Sequence, residues 1–289
     1  MSAHDGPVPR SAPVIVAGVD GTDRSIAVLR WADEQARLLG AWLVAMTAYG
    51  TGLTDTDDPE IAEIAGRVLE RCLDRALSPE RARAAVRWLD PSDPAGALTR
   101  RREWRERLVV IGGHHHDLLR PLGSVTAHVV GHAPAPVAVV REQAGGPRHG
   151  RVVVGVDGSP YARRALLWAA HYAERTEATV VAVLAWSPRH RDDTAAATAP
   201  GSRHEIQLER VLHDELARVT AQHQVPVTRV VRRGPPAAVL REAAADADLL
   251  AVGSHGRNSI MGRLTGSVSQ QLVQQCAAPL VLVTLPPIP

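Results

Sequence analysis

The chain has 289 residues, long enough for two domains that each bury a core of their own. With 33 basic against 31 acidic residues its net charge is +2, so a nucleic-acid polyanion finds no electrostatic footing as the main partner. No apolar run reaches the ~18 residues that span a bilayer, which argues against a membrane protein. Lysine is absent, so every fixed positive side chain is an arginine. Residues 1–12 are polar, contain proline and lack an apolar signal-peptide stretch; we expect a short disordered tail and a cytoplasmic protein. Cys72 and Cys276 fall on apolar helix faces in separate halves, which speaks against a disulfide and fits a reducing compartment.

The chain repeats itself. Val14-Ile-Val-Ala-Gly-Val-Asp-Gly-Thr22 returns as Arg151-Val-Val-Val-Gly-Val-Asp-Gly-Ser159. Asp20 then matches Asp157, Leu29 matches Leu166, Trp31 matches Trp168 and Tyr49 matches Trp186, all at one offset. Further on, Leu108-Val-Val-Ile-Gly112 matches Leu249-Leu-Ala-Val-Gly253, and Ala135-Pro136-Val137 matches Ala278-Pro279-Leu280. Anchors in the same order over nearly the whole length mean duplication. Two domains are expected at residues 13–142 and 150–285, joined by a Gly- and Pro-containing linker.

In the first copy we expect alternating strands and helices, with the mixed-sign run Arg100-Arg-Arg-Glu-Trp-Arg-Glu-Arg107 on a surface helix. The second copy is the more explicit. Residues 152–156 form a continuous apolar run with β-branched residues, typical of a strand buried on both faces. Ser159 and Pro160 then read as the N-cap and first position of a helix whose core stripe is Leu166, Ala169 and Ala173. A strand at 179–184 follows, then a polar loop and a helix carrying Leu208, Leu212, Leu216 and Val219. Strands at 227–231, 249–252 and 280–284 alternate with helices at 236–245 and 267–276. Five strands with helical crossovers predict an α/β fold: two tandem Rossmann-like domains, each a five-stranded parallel sheet covered by helices.

Ligands of such sheets bind beyond the carboxyl ends of the strands. Two loops of the second copy gather there. One is Gly155-Val-Asp157-Gly158; the other begins Gly253-Ser-His-Gly256-Arg257 and ends at Gly266-Ser267, its glycines spaced G-x2-G-x9-G-S. Gly253 and Gly256 let a backbone approach a ligand without Cβ obstruction. Gly266-Ser267 opens a helix, whose free N–H groups and positive dipole end favour an anion. A triphosphate over this loop would meet several N–H donors and the Ser267 hydroxyl. Arg257, inside the loop, is a candidate phosphate partner.

These motifs resemble those of tandem universal stress proteins, over both repeats almost end to end. The G-x2-G-x9-G-S signature after Val252-Gly-Ser-His-Gly-Arg257 is similar to that of the family's ATP-binding branch. The resemblance implies ATP, carried with Mg2+, between the first and fourth strands, and a role in stress adaptation or signalling. It implies that Gly155 and Asp157 border the adenine, that Ala185 meets its edge by main chain, and that Val252 and Gly253 pack on ribose and phosphates. Gly256, Gly266, Ser267 and Val268 would hold the phosphates. Asp157 has two further readings, placing a metal or only capping its own turn. The resemblance also implies that the two domains pair as a pseudo-dimer, with a homodimer as a further possibility.

The first copy departs from this pattern. His115 stands where Gly256 does, and ten residues rather than twelve separate Gly112 from Gly123. We expect it to bind ATP poorly, because a Cβ at a glycine position costs on the order of 1 kcal/mol where the backbone is left-handed. His114-His115-His116 invites a zinc reading, but consecutive side chains do not converge on one ion unaided, so solvated histidines are the default. The second loop lacks the lysine of a P-loop, which points to a binder with slow or no turnover. The alternatives are a slow ATPase, a self-phosphorylating enzyme using Ser267 or a nearby serine, and a nucleotide-free interaction module.

Overall fold

Valine, leucine and isoleucine runs without polar alternation need cover on both faces, and both halves of the chain supply it with helices. A computed structural model describes residues 8, 12–50, 58–100, 105–113, 124–133, 135–142, 148–187, 202–255 and 266–284. The chain divides into two units, the second starting at Arg148.

The first unit runs β1 (Pro13–Gly18), α1 (Arg24–Leu39), β2 (Trp42–Ala48), α2 (Pro59–Ala76), α3 (Pro79–Ala84), β3 (Val86–Asp90), α4 (Pro94–Thr99), β4 (Arg105–Gly112), α5 (Ser124–His132) and β5 (Val137–Val140). Its strands are parallel in the order β3-β2-β1-β4-β5. Chain direction across the sheet reverses at β1, which lies between β2 and β4.

The second unit runs β6 (Arg151–Gly155), α6 (Pro160–Thr176), β7 (Thr179–Trp186), α7 (Arg203–Thr220), β8 (Val227–Arg233), α8 (Pro236–Ala243), β9 (Leu249–Gly253), α9 (Ser267–Gln275) and β10 (Leu280–Val283). Its order, β8-β7-β6-β9-β10, repeats the first, again all parallel. After Arg151 the central strands are apolar: Val152, Val153, Val154, Leu249, Leu250 and Ala251 are all fully buried. Each such leucine or valine contributes about 1.5–3 kcal/mol by leaving water. β8 instead alternates half-buried valines with exposed Arg229, Arg232 and Arg233. A charged edge of this kind resists pairing with a stray strand.

Local chemistry sets the helix ends. Ser159 Oγ accepts the Ala162 N–H at 3.1 Å and Pro160 opens α6. The face of α6 toward the sheet is mostly alanine, with Ala165, Ala169, Ala170 and Ala173 buried, so the helix axis approaches closely. Arg163 clamps α6 to α7 through both guanidinium nitrogens, 2.7 and 2.8 Å from the Glu215 carboxylate. Cys72 and Cys276 are buried free thiols, and burial pushes the Cys72 thiol pKa up. No described helix is long and apolar enough to cross a membrane.

One sequence expectation fails here. Residues 105–107 are not on a helix: Arg105 and Glu106 pair with Pro13 and Val14 as the start of β4, just before a bulge. Pairing with β1 outweighs the local i,i+4 charge pattern, which is worth only a few tenths of a kcal/mol per pair.

The two copies close α1 and α6 differently. Gly40 ends α1 at φ 60, where glycine is unstrained, whereas Glu177 holds the equivalent left-handed position at φ 54 with an exposed side chain. Glu177→Gly should therefore stabilise the second domain by about 1 kcal/mol. Slower hydrogen exchange of the α6 and β7 amides would show it; unchanged or faster exchange would refute it.

Candidate functional site

The carboxyl ends of β7, β6 and β9 lie side by side. Val154 pairs with Ala251 and Gly155 with Val183. Carried two residues past the end of β6, that register would set Asp157 level with Ala185 and Ser254. Of the residues singled out from sequence, Gly155, Asp157, Ala185, Val252, Gly253, Gly266, Ser267 and Val268 can thus be placed. Gly256 and Arg257 lie outside the described residues, as do His114, His115 and His116.

The loop after β6 is a tight turn. Val156 donates its N–H to Val183 at 2.8 Å, continuing the sheet by one residue. Asp157 Oδ1 then accepts the Ser159 N–H at 2.9 Å, and Gly158 takes φ 76, a conformation that glycine adopts without strain. The turn-capping reading of Asp157 is therefore realised. Asp20 does the same in the first unit and more: its Oδ1 accepts from the Thr22 N–H, the Thr22 hydroxyl and the Ser25 hydroxyl. Burial raises the Asp20 pKa, but these hydrogen bonds and the Arg24 charge outweigh it and leave the carboxyl below its ordinary value.

The glycines divide their labour in a way that spacing does not reveal. A Cβ on Gly253 would stand 2.7 Å from the main-chain carbon and Cβ of Tyr161 and 2.9 Å from the Ala162 nitrogen. Its bareness lets the first turn of α6 rest on β9. A Cβ on Gly155 would press on Leu240 Cδ1 at 3.1 Å and Val252 Cγ1 at 3.2 Å. Both glycines serve packing inside the protein. Val252 is buried in that same packing, while Ala185 stays half-buried near the end of β7, paired with Arg232.

The start of α9 is different. Gly266 caps it in an extended conformation with no side-chain cap, and its own N–H is spent on the Ser254 carbonyl at 2.9 Å. The same carbonyl accepts the Ser269 hydroxyl at 3.0 Å, which also reaches the Gly266 carbonyl at 2.8 Å. Ser254 is itself tied to β10, its N–H on Val283 at 3.0 Å. The first turn of α9 is thereby pinned to the end of β9. Helix geometry leaves the amides of Ser267, Val268 and Ser269 without an intrahelical acceptor. The Ser267 side chain is exposed and that of Val268 half-buried. What remains for an anion, among the described residues, is three amides, one hydroxyl and the helix dipole.

Sequence reasoning missed a ring pair at this place. Tyr161 and His255 stand 5.0 Å apart, tilted by 42°, and the His255 Nδ1 lies 3.1 Å from the Ser254 hydroxyl. Tyr161 followed directly after the recognised Ser-Pro cap, so its position was available; its partner was not, being 94 residues away (255 − 161). Farther along the sheet, the Arg233 guanidinium lies 5.9 Å from the Trp186 ring, next to Ala185.

A family model described as the universal stress protein family matches residues 13–141 and 149–284. A universal stress protein of Mycobacterium tuberculosis is 29% identical over 293 residues, spanning 95% of this chain and 98% of its own length. A second from that organism is 36% identical over 176 residues, covering 57% of this chain and 54% of its own. Among solved structures, a universal stress protein from Archaeoglobus fulgidus matches with a TM-score of 0.64 at 19% identity, covering 94% of this chain and 98% of that one. At that identity the likeness speaks for the fold.

The packing role of Gly253 can be measured without any ligand. Gly253→Ala should weaken hydrogen-exchange protection of α6 and β9 by the equivalent of about 1–3 kcal/mol. Gly112→Ala, whose Cβ would meet Arg24 Cβ at 3.6 Å and Val28 Cγ2 at 3.7 Å in ordinary contact, should change the first domain by less than about 1 kcal/mol. Equal effects at the two positions would contradict this division.

Proposed function

The chain belongs to the universal stress protein family, and from that premise we propose that its second domain binds ATP, with Mg2+, as a ligand for stress adaptation. One observation carries the reading. The first turn of α9 is held at the carboxyl end of β9, the strand that pairs with β6 where the sheet order reverses. Peptide dipoles aligned at a helix start favour a polyanion there without any lysine. The Ser267 and Val268 amides and the Ser267 hydroxyl would hold phosphate oxygens, with Gly256 and Arg257 completing the loop. Gly155, Asp157 and Ala185 would border the base, and Val252 and Gly253 would shape the floor from behind.

The same inventory supports binding over turnover. The chain contains no lysine to span β- and γ-phosphates, and the Asp157 carboxylate is engaged in its own turn. Bound ATP in this reading changes which partner the protein meets, without being consumed at a useful rate. The engagement of Gly155 and Gly253 in packing is the observation that favours the rival, a nucleotide-free interaction module.

Calorimetry of the full chain with ATP and Mg2+, alongside mass spectrometry of co-purifying nucleotide, separates these readings. The expected result is one ATP per chain, with affinity falling at least tenfold in Gly256→His while the far-ultraviolet spectrum and melting midpoint stay unchanged. Two equivalent sites per chain would overturn the assignment to the second domain, and no binding at all would favour the interaction module. Rapid phosphate release, or stable label on the protein after incubation with γ-labelled ATP, would make it an enzyme instead.

A further inference from the structure

Away from the carboxyl ends of the strands, the second unit brings two histidines and a carboxylate together. His171 and Glu174 occupy one face of α6, three residues apart and therefore one turn from each other. They stand eleven and fourteen residues beyond Pro160, roughly 16–21 Å along the helix from the loops discussed above. His223 comes from the turn after α7, where its N–H bonds the Val219 carbonyl at 3.0 Å and so fixes the backbone that carries the ring. One ligand atom from each of the three residues lies within 4.8 Å of the other two.

The contacts within this group have the form of a coordination shell. His223 Nδ1 is 3.1 Å from Glu174 Oε2, close to the roughly 3.3 Å that separates two ligands bound at about 2.0–2.1 Å in a tetrahedral site. The His171 and His223 rings meet edge to face, their centroids 6.1 Å apart at 69°, and a ring nitrogen of each lies within 4.8 Å of the other. Glu174 also accepts the Gln224 N–H, and these bonds, with the His223 hydrogen bond first, hold its carboxyl below the ordinary value. His171 and Glu174 are exposed and His223 half-buried, so an ion has direct access and small side-chain rotations close the remaining gap.

We propose that His171, Glu174 and His223 bind one divalent transition-metal ion, zinc foremost, and that the ion cross-links α6 to the α7–β8 turn. Two neutral imidazoles and one carboxylate are a borderline-soft donor set that suits zinc over magnesium or calcium. Three protein ligands leave a fourth position for water. Coordination through His223 Nδ1 places that ring's N–H on Nε2, since Nδ1 then donates its lone pair to the ion. The feature belongs to the second domain: the matching positions of α1 carry Glu34 and Arg37, and a guanidinium there repels a cation. This proposal is independent of the nucleotide reading.

The test uses the full chain, stripped of metal and nucleotide because ATP itself chelates zinc. His114, His115 and His116 are first replaced by alanine so that their run does not compete. Zinc chloride titrated into this parent should bind one ion per chain and raise the melting midpoint of the second domain by several degrees. His171→Ala should weaken that uptake at least tenfold. His223→Gln, which keeps a hydrogen-bond donor for Glu174 but loses the imidazole, should do the same with an unchanged melting midpoint in the absence of metal. Zinc uptake undiminished in either variant, or no uptake by the parent, overturns the proposal.

Discussion

A single peptide carbonyl, that of Ser254, ties the second domain together at its functional end. It receives the Gly266 N–H and the Ser269 hydroxyl, while the N–H of the same residue bonds to Val283 on β10. Two strands and the start of a helix meet at one residue, whose side chain is buried and directed to His255. Each of these bonds contributes only about 1 kcal/mol net, but leaving the carbonyl unpartnered in this buried place would cost more. The position of the helix start follows from that asymmetry. An anion site made from a helix N-terminus is useful only where the helix is fixed, and here the loop's two ends are fixed to each other.

Around that clamp the two copies show what duplication preserves and what it releases. The aspartate turn is kept in both, with Gly21 at φ 80 and Gly158 at φ 76, because that backbone conformation closes the strand-to-helix corner whatever the loop does. Gly113 in the first copy donates its N–H to Val140 as Ser254 does to Val283, so the last strand is tied in the same way. Gly112 and Gly253 hold the same place in sequence yet differ in need. The chain crowds Gly253 to 2.7 Å and leaves Gly112 in ordinary contact. The first domain keeps the fold with more room at Gly112 than the second has at Gly253. Its closing position at Gly40 is the relaxed one, whereas the second carries Glu177 in a strained conformation.

The parallel strands were readable because they are short, valine-rich and bounded by glycine or proline, and Ser159-Pro160 announced α6 to the residue. What sequence did not reveal depended on distance along the chain. The start of β4 at Arg105 looks helical by charge pattern, and only its pairing with Pro13 and Val14 makes it a strand. Tyr161 and His255, like His171 and His223, are brought together by the return of the chain through a parallel crossover, so no local spacing marks them. The cluster at Glu174 is of this kind: 49 residues separate it from His223, and only two of its three members show a helical interval.

Glycine spacing is where the sequence signal and its physical cause separate. A strand ending in glycine can be bare because a ligand needs the room or because a helix does, and the pattern is the same in both cases. At Gly155 and Gly253 the occupants are Leu240, Val252 and the first turn of α6. In the proposed site these glycines would bear on a nucleotide only indirectly, by letting α6 rest on β9. In the proposed reading, the groups that would touch a phosphate are those whose hydrogen-bonding capacity the fold leaves over, the Ser267, Val268 and Ser269 amides and the Ser267 hydroxyl among the described residues. In the proposed site, affinity would follow from these unspent donors, which the Ser254 carbonyl holds in place.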